Sequence, residues 1–273
     1  MLERYLRWSG TSDRGRFRAN NEDAFLGLQF DGREAWRLGK LGEAALAQRD
    51  AVFAVSDGMG GAEAGEFASR IVVEKITKLM PKSFRISAAG VDAGLSDVLT
   101  ELFLEIHNAL TFLGVSYEEC RGMGATLSLA WFTPEWMYFA HVGDSRIYYL
   151  PKSGGIRQVT QDDSHVGWLL RQGQINEREA RNHPRRSVLQ KALGAGNHSV
   201  EPQLGRIGLE RGDRFLLCTD GVTDGLFDAR LLEFATETNE RDVASRLVAA
   251  AVQASGKDNA TAVVVEVEAR EKD

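Results

Sequence analysis

Short apolar or alternating runs of five to eight residues recur along the chain, broken by polar and glycine-bearing segments. Runs of that length and pattern predict strands at 6–12, 24–30, 51–56, 126–132, 136–142, 146–150, 203–209, 214–219 and 261–268. Period-3.6 patterns predict helices in two groups. In the first, Ala68, Ile71, Val72, Ile76 and Leu79 mark a helix over 66–80. Leu99, Leu102, Phe103, Ile106 and Leu110 mark another over 96–113, before Gly114. In the second group, Leu231, Leu232 and Phe234 mark 228–237, and Val243, Leu247, Val248 and Ala251 mark 241–255.

Strands outnumber helices and the two types do not alternate, which argues against a doubly wound parallel sheet. The expectation is an α+β fold: a four-layer αββα sandwich of two antiparallel sheets with a helix pair on each outer face. With only 5 Pro and no low-complexity linker, one domain over residues 1–273 is expected. Two segments stand outside the pattern. Residues 29–50 form a polar connection, read as an extended hairpin. Residues 160–194 form a polar, helix-prone insertion, either a plain surface excursion or an element that carries specificity.

Composition removes some functions. The net charge is −6, and no Lys/Arg cluster suggests a nucleic-acid surface. No uninterrupted apolar run approaches the ~20 residues of a membrane span, and the opening MLERYLRWSGTSDRGR is too charged for a secretory signal. Cys120 and Cys218 are expected as free thiols in a reducing cytosol, so a cytoplasmic location is expected.

Single carboxylates fall where strands begin or end. Asp57 follows AVFAV, Asp220 follows FLLCT and Asp144 follows MYFAHVG. Asp258 precedes NATAVVVEV, and Asp23, with Glu22 before it, precedes AFLGLQF. Antiparallel neighbours place the end of one strand beside the start of the next, so all five strand-end Asp could share one rim. Asp-Gly turns explain any one of them equally well. As a set, they would repel unless protons or cations neutralised them. The 5 His are scattered, without zinc-site spacing, so a shared site would suit a hard, oxygen-liganded cation such as Mg²⁺ or Mn²⁺. On that reading Gly58, lacking a Cβ, lets its carbonyl approach the ion. SDGMGGAEAG contains no Lys and is not a Walker A loop. Arg18, five residues before Asp23, is either a solvated charge or a fork for phosphate oxygens.

Eight segments, in order, are similar to one family: SDRGRFRANNEDA, AVSDGMGG, GMGATL, HVGDSRIY, TQDDS, EARNHPRRSVLQKALG, LLCTDGVTD and DNAT. Together they span nearly the whole chain. The sequence resembles the bacterial type of the PP2C (PPM) metal-dependent protein serine/threonine phosphatases. The resemblance implies the four-layer fold already expected and a binuclear Mn²⁺ or Mg²⁺ centre. By position, Asp57 would bridge the ions, with the Gly58 carbonyl on one and Asp220 and Asp258 on the other. Glu22 and Asp23 would act through water, and Asp144 with Asp220 matches a third, weaker site. Arg18 matches the phosphate-binding Arg, and 160–194 matches the flap. The implied partners are a phosphoprotein substrate and a cognate Ser/Thr kinase. The alternative is a catalytically weak phosphoprotein-binding sensor. Neither Cys lies in a C-x5-R loop, which argues against a cysteine-dependent phosphatase. Two positions depart from the family pattern: Ala62, where many relatives carry His after DGMGG, and Asp163, where many have DHS.

Overall fold

Apolar runs that do not alternate are strands buried on both faces. In AVFAV, Ala51, Phe53 and Val55 enter one core while Val52 and Ala54 enter another. In TAVVVEV, Val263, Val265 and Val267 share the first of these cores, and Ala262 and Val264 enter a third. A strand covered on both sides has no need of a polar face, and that requirement alone implies at least three apolar layers.

The computed structural model describes residues 2–271 apart from 32, 48, 89–93 and 238–240. The strands, in chain order, are β1 Leu2–Asp13, β2 Asp23–Phe30, β3 Ala35–Arg37, β4 Leu41–Ala45, β5 Asp50–Met59, β6 Gly124–Ala125 and β7 Leu127–Phe132. They continue with β8 Trp136–Val142, β9 Arg146–Leu150, β10 Arg157–Gln158, β11 Leu193–Gly194, β12 Gln203–Gly208, β13 Arg214–Cys218 and β14 Ala260–Glu271. The helices are α1 Ala62–Ala88, α2 Leu95–Ser116, α3 His165–Arg171, α4 Glu177–Arg181, α5 Asp220–Gly225, α6 Asp228–Ala235 and α7 Val243–Ala254.

One sheet runs β10-β9-β13-β14-β1-β4. The other runs β11-β6-β5-β7-β8-β12, with β2 also paired to β5 and β3 to β2. Every pairing among the described residues is antiparallel. Between the sheets lies an aromatic core in which Phe132 meets Phe53 and Phe215 edge-on, at centroid distances of 5.9 and 5.3 Å. α1 and α2 cover the β5 sheet, and α5 to α7 cover the β14 sheet. The expected αββα order is observed.

The boundaries moved in informative places. α1 runs past Pro81 to Ala88, beyond the predicted end at 80. The 29–50 connection is only partly a hairpin: β3 pairs back onto β2, but β4 crosses over and pairs with β1 in the other sheet. α2 is long and apolar enough to cross a membrane by length and composition, although charged and polar residues interrupt its apolar run. Val98, Leu102, Phe103, Ile106 and Leu110 on one of its faces pack into the core beneath it.

Candidate active site

Most of the expected carboxylates meet at one rim of the sandwich, and backbone pairing brings them there. β2 and β5 pair with Asp23 directly opposite Asp57, an arrangement that repels for like charges. Asp144 lies in the turn between β8 and β9. Asp220 opens α5 directly after β13, and Asp258 precedes β14. A cavity of about 380 Å³ is lined by Arg18, Glu22, Asp57, Gly58, Thr126, Asp144, Ser187, Asp220 and Asp258, among others. Ser187 and Leu189 bring the 160–194 segment to its edge.

Asp23 stands behind this wall. It does not line the cavity; its Oδ2 accepts hydrogen bonds from Thr219 and Thr261, each at 2.7 Å. Its Oδ1 and the Oδ1 of Asp220 are buried without a hydrogen-bond partner. Unsatisfied buried carboxylate oxygens are costly. Burial, followed by neighbouring carboxylates, holds the Asp57 and Asp220 pKa values well above the ordinary range. Burial pushes Asp23 and Asp144 up to about 7. Glu22 is raised by burial and partly offset by Arg18. Arg18 donates to Asp258 Oδ2 at 2.6 Å, and this bond raises its own pKa.

The donor set fits a hard cation: clustered oxygens, with Asp220 Oδ1 orphaned among them, in a site that repels itself without added positive charge. As the side chains stand, no three Asp, Glu, His or Cys groups among the described residues close around a single point. Arg18 instead lies against Asp258, where it partly balances the negative charge.

The backbone requires Gly58 for a reason the sequence did not suggest. A Cβ there would sit 1.9 Å from the Gly65 carbonyl oxygen, and a Cβ on Gly221 would sit 1.9 Å from that of Asn259. Both Asp-Gly pairs thus allow two backbone segments to touch, and Gly58 need not be Gly only to expose its own carbonyl.

Several positioning residues escaped the sequence reading. Asn259 Oδ1 accepts from Glu22 N at 2.7 Å, and its Nδ2 donates to the Arg14 and Asn20 carbonyls. One side chain therefore pins the loop that carries Arg18 and Glu22. Thr126 Oγ1 accepts from Asp57 N at 3.0 Å and meets Ser145 Oγ at 2.6 Å. The only signal for these was adjacency: Asn259 to Asp258, and Thr126 within GMGATL.

Asp163 and the histidines have other partners. Asp163 Oδ2 accepts from Gly143 N, its own N donates to the Gly143 carbonyl, and its carbonyl accepts from Gln190 N. His141 is fully buried between Ser128 Oγ and the Gly143 carbonyl. His165 stacks on Trp168, with centroids 6.5 Å apart.

Residues 40–262 match the family described as protein phosphatase 2C. The chain is 34% identical over 266 residues to the serine/threonine protein phosphatase PstP of Mycobacterium tuberculosis, covering 96% of this chain and 45% of that protein. It thus spans about half the length of that curated relative. With the serine/threonine phosphatase stp of Listeria innocua it shares 31% identity over 257 residues, 93% of each chain. Among solved structures, Stp1 from Staphylococcus aureus superposes with a TM-score of 0.81 at 28% identity, covering 96% of this chain and 95% of that one. The PstP catalytic domain in complex with two manganese ions superposes at 0.77 with 31% identity, covering 98% and 100%. On the family match, these identities and the shared fold, the chain belongs to the protein phosphatase 2C family.

Proposed function

We propose that residues 1–273 form one catalytic domain that hydrolyses phosphoserine and phosphothreonine in phosphoproteins, using two Mn²⁺ or Mg²⁺ ions. The observation that carries this reading is the single cavity that gathers Glu22, Asp57, Asp144, Asp220 and Asp258 beside Arg18. Asp57, the Gly58 carbonyl, Asp220 and Asp258 would hold the two ions. Glu22 and Asp23 would act through water, and Asp144 with Asp220 would hold a third. Bound there, the metals supply the positive charge that offsets phosphoryl oxygens and acidifies water.

The chain's own groups account for binding and orientation. Arg18 presents a guanidinium fork to the phosphate dianion once released from Asp258. Asn259 fixes the loop behind it. The 160–194 flap reaches the cavity edge through Ser187 and Leu189, where it would contact the substrate around the phosphoester. At the two departures from the family pattern, Ala62 has no ionisable group and the Asp163 carboxylate is engaged by Gly143 N, so neither position offers the leaving oxygen a free proton donor. The two buried free thiols support a cytoplasmic setting, where a Ser/Thr kinase would supply the substrate.

The test is hydrolysis of p-nitrophenyl phosphate and of a phosphothreonine peptide, with Mn²⁺ and with EDTA. Turnover that requires the metal is expected. Folded protein with no turnover in Mn²⁺, but with tight phosphopeptide binding, would instead identify a sensor.

A further inference from the structure

Large exposed apolar side chains stand on α1 and just after the end of α2. Phe67 and Tyr117 are 45% and 50% exposed. Between α1 and the end of α2 lies a cavity of about 460 Å³, walled by Ala64, Phe67, Leu113 and Tyr117, with Glu63 and Glu119 at its charged positions. Both charges are acidic, and neither is paired with a Lys or Arg in an ion pair among the described residues. The groove adjoins the candidate active site. Gly60 and Gly61 line the catalytic cavity, and α1 starts immediately after them. The six residues from Gly61 to Phe67 advance about 9 Å along the helix, a span that about three extended peptide residues would cover.

We propose that this groove docks the phosphoprotein substrate itself, through an apolar side chain next to Lys or Arg, three or four residues from the phosphorylated Ser or Thr. The inference rests on the phosphatase reading above. Proximity to the catalytic cavity, with Gly61 lining that cavity and Glu63 lining the groove, gives the occupant its position. The two glutamates on an apolar floor give it its chemistry, since a basic-apolar segment matches both. A second copy of the chain is the poorer match, because it carries a net charge of −6 to an acidic rim.

The experiment compares three fluorescein-labelled phosphothreonine peptides. One carries Arg-Leu three residues before the phosphothreonine, one carries it three residues after, and one carries Gly-Ser instead. Anisotropy reads binding and phosphate release reads turnover, with p-nitrophenyl phosphate run on each preparation. One Arg-Leu peptide is expected to bind about tenfold more tightly and to show a correspondingly lower KM than the Gly-Ser peptide. Phe67→Ala and Glu119→Lys should each erase that difference, so that each variant treats the peptides alike. Equal binding of all three peptides by the wild-type chain overturns the proposal, as does a preference that survives both substitutions. Self-association lost in Phe67→Ala, with no peptide preference, also overturns it and assigns the groove to a second copy. Loss of p-nitrophenyl phosphate hydrolysis in the wild type overturns the functional reading instead, and anisotropy still reads the groove.

Discussion

Asp23 and Asp57 face each other in register on adjacent strands, and Asp220 carries an orphaned oxygen close to their rim. Such a cluster is held together by the rest of the fold and works against folding when no cation is bound. Asp57→Asn or Asp220→Asn should therefore abolish metal-dependent turnover of p-nitrophenyl phosphate and raise the melting temperature in EDTA. A variant that keeps activity would show the site to be misassigned. The same cluster sets a pH dependence. Burial holds Asp23 and Asp144 at about 7, against ~3.9 for an unperturbed Asp. Between about pH 4 and 7 the folded, metal-free chain keeps protons that the unfolded chain has released, so its stability falls as pH rises through that window. Melting in EDTA should drop by about 3 °C or more from pH 5 to 7.5, and a rise would contradict the proposed cause. Arg18→Ala should act mainly on KM, because the proposed clamp would contact ground-state phosphate as well; steady-state kinetics with a phosphopeptide separate the two effects.

At the scale of elements, the 160–194 segment is fastened at its base by a largely buried ion pair, with side-chain exposures of 21% and 10%. Arg146 Nε and Nη2 donate to the Asp162 carboxylate at 2.9 and 2.7 Å, and Arg171 caps the Asp162 carbonyl. Removing one partner of a buried pair costs about 3–5 kcal/mol, because the other charge is left behind. Arg146→Met should lose that much in urea unfolding, and adding Asp162→Leu should recover part of the loss. The elements hidden in the sequence share one physical cause. LGEAA offers the inter-sheet core only Gly42 and Ala44, too little to mark a strand, and is β4 because Tyr5 to Ser9 of β1 offer it a ladder. DGVTDG reads as a turn because of its two glycines, yet it forms α5, with Val222 buried beneath α7 and Gly221 pressed on Asn259. Long amphipathic helices and double-buried strands announced themselves, since their own side chains carry the pattern. Short elements borrowed their stability from partners far along the chain.

Across the whole molecule, the inter-sheet core holds both halves of the candidate site in one frame. Phe53 sits two residues before Val55 on the strand that carries Asp57, and it packs against Phe132, which in turn meets Phe215 on the strand leading to Asp220. Phe53→Ala should cost about 3–5 kcal/mol through lost burial and a cavity, read as a lower urea midpoint. Weaker Mn²⁺ binding by calorimetry should accompany it, because the two carboxylate-bearing strands lose their common support. By itself, the sequence determined the fold class, the helix pairs and the candidate residues, because periodicity, strand-end Asp and ordered motifs are local properties of the chain. Only the tertiary structure decided that Asp23 stands behind the cavity wall and that Asn259 and Thr126 hold its loops. It also decided that Gly58 is glycine because Gly65 presses on it. Those facts depend on which distant backbones come into contact, and no local pattern records that.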